Sequence, residues 1–276
     1  MLELRQRRLV RGDRSKGPVT GRGRSNRGFP MADPIRNYQT SAAPGARVDI
    51  DQGLRAYMIK VYNLMGLGLL ITGLAAWGAF HLAVTGDGQL TAFGQLIYAS
   101  AFRWVVILAP LAAVMFLSFR IQSMSVAAAQ TTFWVYAGLV GLSLSTIFLV
   151  YTGTSITQTF FATAAAFGAL SLYGYTTRRD LTAFGSFLIM GVIGLLIAMM
   201  INIFLASSAL AFAISAVGVL VFAGLTAYDT QRIKEMYFEG DVADVAGRKA
   251  IMGALQLYLD FINLFMFLLQ FMGDRR

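Results

Sequence analysis

The sequence predicts an all-α polytopic membrane protein of seven transmembrane helices, with the seventh central in the bundle. Three observations carry this. The chain is 57% hydrophobic and only 13% charged over 276 residues, with a mean hydropathy of +0.61, well outside the usual balance of a soluble domain. Its uncharged stretches run far beyond the roughly 20 residues that cross a bilayer. Its last apolar stretch, residues 250–272, carries a polar stripe that belongs inside a bundle rather than against lipid.

Residues 1–55 are set apart by charge. They hold 12 Lys and Arg against 5 Asp and Glu, so +7 of the formal +9 falls there. Arg, Gly, Ser and Pro recur without period, which predicts a disordered tail ahead of a membrane domain at 56–276. The tail has three readings: a basic arm for anionic lipid or nucleic acid, an Arg- and Ser-rich import presequence, or a stretch that precedes the true start at Met31. The third is favoured, because Met31-Ala-Asp-Pro opens a solvated segment, and no nucleic-acid partner is expected. No removable signal peptide is expected either, since the first apolar run starts about sixty residues in and spans.

The first span is expected at 61–80, flanked by Arg55 and Lys60. The second, at 104–119, lies between Arg103 and Arg120 and contains Pro110, whose missing N–H predicts a kink. Residues 121–177 then run for 57 positions without a charge, too long for one span, and Tyr151-Thr-Gly-Thr154 divides them into the third and fourth. Arg178, Arg179 and Asp180 close that pair. Residues 181–228 are 48 further uncharged positions, divided near Ala206-Ser-Ser208 into the fifth and sixth. A polar connector, 229–249, leads to the seventh. Gly138 and Gly141, Gly191 and Gly194, and Gly218 and Gly224 predict close helix contacts, because small residues let backbones approach in lipid.

Charge sets the orientation. With the N-terminus in the cytoplasm, Arg120, Arg178, Arg179, Arg232, Lys234, Arg248 and Lys249 fall on inner loops and only Arg103 on an outer one. The positive-inside rule then predicts N inside and C outside. Arg275 and Arg276 point the other way, to a re-entrant last segment that ends in the cytoplasm, but the length of the segment favours a full span.

Chemistry concentrates on two acids. Asp260 lies near the middle of 250–272, at a depth where a carboxylate costs about 2.5–3.5 kcal/mol on insertion scales. Gln256, Asp260, Asn263 and Gln270 stand at i, i+4, i+7 and i+14, one face of a helix. Asp229 sits close to the inner end of the sixth span, and consecutive helices run antiparallel, so the two acids come to similar depths. Two carboxylates in low dielectric do not both stay charged without a cation, an arginine or a shared proton. Asp229 and Asp260 are therefore the candidate ion-binding and pH-sensing site, with Gln256 and Asn263 beside them as pore-lining residues.

Other chemistry is thin. There is no cysteine and one histidine, His81, read as an interfacial loop residue, which removes disulfides, thiolate zinc sites and most His-based catalysis. No Gly-Lys-Ser/Thr loop occurs. Tyr228-Asp229 matches half of the intramembrane aspartyl protease pattern, but Leu257-Tyr-Leu-Asp260 lacks the glycines of the other half, and the last proline is Pro110. No catalytic residue is assigned and no enzyme is expected.

Ala227-Tyr-Asp-Thr-Gln-Arg-Ile-Lys234 followed by Leu257-Tyr-Leu-Asp-Phe-Ile-Asn-Leu-Phe265 resembles the signature of the Bax inhibitor-1, or transmembrane Bax inhibitor motif, family. Gly141-Leu-Ser-Leu-Ser-Thr-Ile-Phe-Leu-Val-Tyr151 and Ser171-Leu-Tyr-Gly-Tyr-Thr-Thr-Arg-Arg-Asp-Leu181 are similar to its bacterial inner-membrane, YccA-like branch. The resemblance covers about residues 56–272. It implies a pH-sensitive calcium leak in which Asp229 and Asp260 bind or gate the ion, and an arginine latch, which falls on Arg120 pairing with Asp229. Calcium enters as the permeant or bound ion and no cofactor is expected. Its preference for hard oxygens suits two carboxylates with Gln256, Asn263, carbonyls and water. One acid of the second helix in some relatives is absent here, where Ala109-Pro110 stands. The branch also includes regulators of a membrane-bound ATP-dependent protease acting through a cytoplasmic tail, so the alternative is a membrane-integral regulator without ion flux.

Overall fold

A computed structural model of the chain describes residues 44–276, with side chains from residue 52 onward. Most of the basic tail, with the expected start at Met31, lies outside the described residues. Seven long helices follow: α1 (Pro44–Ala83), α2 (Arg103–Arg120), α3 (Val126–Leu144, extended by the turn Ile147–Val150), α4 (Gly153–Thr176), α5 (Thr182–Leu205), α6 (Ser208–Glu235) and α7 (Ala243–Met272). Each is long and apolar enough to cross a membrane. Among the described residues the only β-type pairings are two isolated bridges.

The breaks between helices are made by side chains that take up the amides of the next helix. Thr152 accepts from the Ser155 amide at 3.2 Å and starts α4. Asp180 accepts from the Thr182 amide at 2.8 Å and starts α5; its bonds to Thr182 hold its carboxyl below the usual range. Ala206 ends α5 with φ 47°, a left-handed conformation that costs a non-glycine residue about 1–2 kcal/mol. Asn202 offsets this by accepting the Ser207 amide at 3.1 Å, and Ser207 in turn caps α6.

Helix ends differ from the hydropathy reading. α1 begins at Pro44, inside the stretch expected to be tail, and the expected connector 229–249 contracts to 236–242. Hydropathy marks only what lipid must cover; the backbone ladder runs on wherever polar side chains find partners. Gln231 accepts from the Leu181 amide at 2.9 Å and donates to the Arg179 carbonyl at 2.8 Å. Lys234 donates to the Tyr175 carbonyl at 2.8 Å, a cation placed on the C-terminal end of α4. Lys249 reaches the Met236 carbonyl at 3.0 Å and Asp241 at 2.6 Å, so the start of α7 ties down the short connector. α2 is unbroken through Pro110.

α7 is the hub. It packs against α1, α3, α4 and α6 and is the most buried of the seven, whereas α2 rests mainly on α3 and α5 on α6. Glycines set several of these contacts. A Cβ at Gly141 would run into the Thr72 carbonyl of α1, one at Gly174 into the Ala227 carbonyl of α6, and one at Gly218 into the Phe267 ring of α7. Gly224 and Gly191 also face neighbouring side chains, Leu188 and Val221. Gly138 and Gly194 face open space, so the packing role expected of them is not theirs.

Candidate functional site

The register of α6 on α7 builds the site. Gly218 faces Phe267 and Gly253 faces Ile233, an antiparallel pairing that sets Asp229 opposite Gln256. Asp260 lies one turn further in, about 5 Å along the axis. Asp229 and Asp260 are near neighbours across the α6–α7 contact, with Gln256 beside Asp229. Both acids are shut away from solvent, 5% and 4% exposed. Asp260 Oδ2 is buried with no hydrogen-bond partner. Burying a carboxylate oxygen without a donor is expensive, so the arrangement calls for a proton or a cation between the two acids.

The other expected residues divide. Gln256 joins the pair. Asn263 donates to the Leu259 carbonyl of its own helix at 2.8 Å, and Gln270 pairs with Ser215 at 3.1 Å near the far end of α7. The stripe is thus three separate contacts. Arg120 is exposed on α2, which rests on α3 rather than α6, and the expected Arg120–Asp229 ion pair is not formed. Among the described residues the one ion pair is Lys249–Asp241. Arg232 stands one turn along α6 from Asp229.

Several polar residues flank the pair without having been singled out by sequence. Thr230 donates to the Thr226 carbonyl at 2.7 Å, so Ser171 donates to Thr230 at 2.9 Å and Tyr62 to Ser171 at 2.6 Å. This chain links α1, α4 and α6 beside Asp229. On the other side of α7, Tyr258 donates to Thr72 at 2.6 Å, which donates to the Ala137 carbonyl at 2.9 Å, and Tyr258 packs edge-on against Phe133 and Tyr136. Ser171, Thr230 and Tyr258 all lie inside the motifs quoted above. A hydroxyl in an apolar helix usually bonds its own preceding turn, so nothing local announces an interhelical partner.

Among the described residues no three of His, Cys, Asp and Glu gather closely enough to hold a metal ion. The pair offers four carboxylate oxygens and Gln256 one more, against the six to eight that calcium takes.

The family described as "Inhibitor of apoptosis-promoting Bax1" matches residues 54–276. The chain is 49% identical over 226 residues to the uncharacterized protein RP147 of Rickettsia prowazekii, covering 82% of this chain and 92% of that one. It is 47% identical over 227 residues to the inner membrane protein YbhL of Escherichia coli, covering 81% and 94%. A protein of Caulobacter vibrioides is 46% identical over 250 residues, 89% of this chain and the whole of its own length.

Proposed function

The chain belongs to the Bax inhibitor-1 family, and from that premise we propose that it is a multi-pass inner-membrane protein that leaks calcium in a pH-dependent way through a gate at Asp229 and Asp260. The observation that carries this reading is the Asp260 carboxylate, buried beside a second carboxylate with one oxygen lacking a donor. A pair in that state holds a proton between its members. Calcium, as the cargo, competes for the same oxygens, so the occupancy of the pair by cation or proton follows pH without a histidine. Gln256 places its side-chain amide beside Asp229, and closure of the site from solvent keeps the resting leak small.

The test is calcium entry into proteoliposomes at several pH values. Entry above that of empty liposomes, changing with pH, is expected. Entry that matches empty liposomes, or that is flat with pH, overturns the reading.

The orientation belongs to the same proposal. A reporter active only outside the cytoplasm is expected to work when fused after Arg276 and to fail when inserted at 236–242. That 236–242 and Arg276 fall on opposite faces is supported by α7, which starts beside the α2–α3 turn, with Arg248 3.4 Å from the Met124 carbonyl, and finishes beside the α3–α4 turn; which face is outside rests on the loop charges. The opposite reporter pattern would refute it.

A further inference from the structure

Arg275 and Arg276 are the cations that run against the charge pattern of the loops, and the gate gives them no part. Where α7 finishes, a part-open cavity of about 400 Å³ lies between the ends of α5, α6 and α7. Its lining is mixed, with Asn202, Ser208, Gln270 and Arg275 contributing polar groups and Ile203 and Phe212 forming exposed apolar flanks.

The polar groups are set in place. The chain end is fastened to the α3–α4 turn: the Thr152 amide donates to the Asp274 carbonyl at 3.1 Å and the Arg276 amide to the Val150 carbonyl at 2.9 Å. The backbone of Arg275 is thereby held between them, and its exposed guanidinium lies 5.9 Å from the centre of the Tyr151 ring. Asn202 uses its Oδ1 on the Ser207 amide, and its Nδ2, at the cavity wall, has no acceptor among the described residues. Ser208 opens α6, so its hydroxyl lies at the positive end of a 28-residue helix. Among the described residues that line the cavity there is no carboxylate. An exposed guanidinium, an amide donor and a hydroxyl at one cavity, with no acid among its described lining residues, complement an anion.

We propose that this cavity binds the phosphodiester headgroup of an anionic phospholipid from the leaflet at this end, with its acyl chains against Ile203 and Phe212. The apolar flanks select a lipid over a free ion. The inference stands apart from the calcium gate and does not rest on it.

The full chain in detergent, titrated with phosphatidylglycerol and with phosphatidylcholine, is read by native mass spectrometry. Wild type is expected to retain one phosphatidylglycerol about tenfold better than phosphatidylcholine. Arg275→Gln is expected to lose the preference. Arg276→Gln, the same charge change one residue on and outside the cavity lining, is expected to keep it. Ala211→Leu, which fills the cavity and leaves every charge in place, is expected to lose it while unfolding at the wild-type temperature. Inorganic phosphate is expected not to displace the lipid. A preference that survives either Arg275→Gln or Ala211→Leu, equal losses in Arg275→Gln and Arg276→Gln, or displacement by inorganic phosphate overturns the proposal.

Discussion

Asp260→Asn is expected to weaken the pH dependence of calcium entry into proteoliposomes between about pH 5 and about pH 8 and to move its midpoint, and Asp229→Asn to do the same. Asparagine nearly keeps the shape of aspartate but neither ionises nor exchanges a proton. In wild type the two carboxyls are buried neighbours inside the bundle, and two such groups in low dielectric do not both stay charged without a cation or a shared proton. Removing one leaves a single carboxyl with a neutral amide beside it, and the coupled proton is gone. The result is independent of which protonation state opens the path, since either requires the pair to change charge. Stability is a poor alternative explanation. In Asp260→Asn the new side-chain amide can donate to the Asp229 carboxylate, which offsets the lost contact to within about 1–2 kcal/mol. If both variants keep wild-type entry together with its full pH dependence, the pair is a packing feature and the gate lies elsewhere.

Gly174→Leu is expected to destabilise the bundle by about 3 kcal/mol or more, at or above the upper end of ordinary overpacking. A Cβ at this position meets the Ala227 backbone carbonyl, and a main chain has no rotamer with which to give way. α4 must then move off α6 two residues from Asp229. The Ser171–Thr230 bond, one turn before Gly174, is lost with it. Gly168→Leu is the control on the same helix. Its Cβ would enter open space, so it carries the same change in volume and helix propensity without the collision. Thermal unfolding in detergent separates the two: Gly168→Leu should unfold near wild type, and Gly174→Leu well below it or not fold at all. Equal midpoints would show that α4 and α6 are not held by close backbone approach.

By itself the sequence determined everything governed by the local exchange of lipid for water. Seven spans follow from apolar runs of known length, and their division at Tyr151–Thr154 and Ala206–Ser208 follows from residues that prefer caps and turns to helix interiors. The central place of the last helix was legible too, because a stripe containing Asp260 is tolerated only where protein replaces lipid. What only the tertiary structure decided was pairing. The register that sets Asp229 against Gln256 and brings Asp260 within reach comes from where Gly218 and Gly253 admit Phe267 and Ile233, a fit between distant residues. The same packing leaves α2 on the outside of α3, so Arg120 stays exposed despite its charge and position. It joins Tyr62, Ser171 and Thr230 across three helices, although each hydroxyl read alone could bond its own turn. Hydropathy is a property of each segment in its solvent, whereas a contact is a property of two segments at once, and only the packed bundle specifies the second.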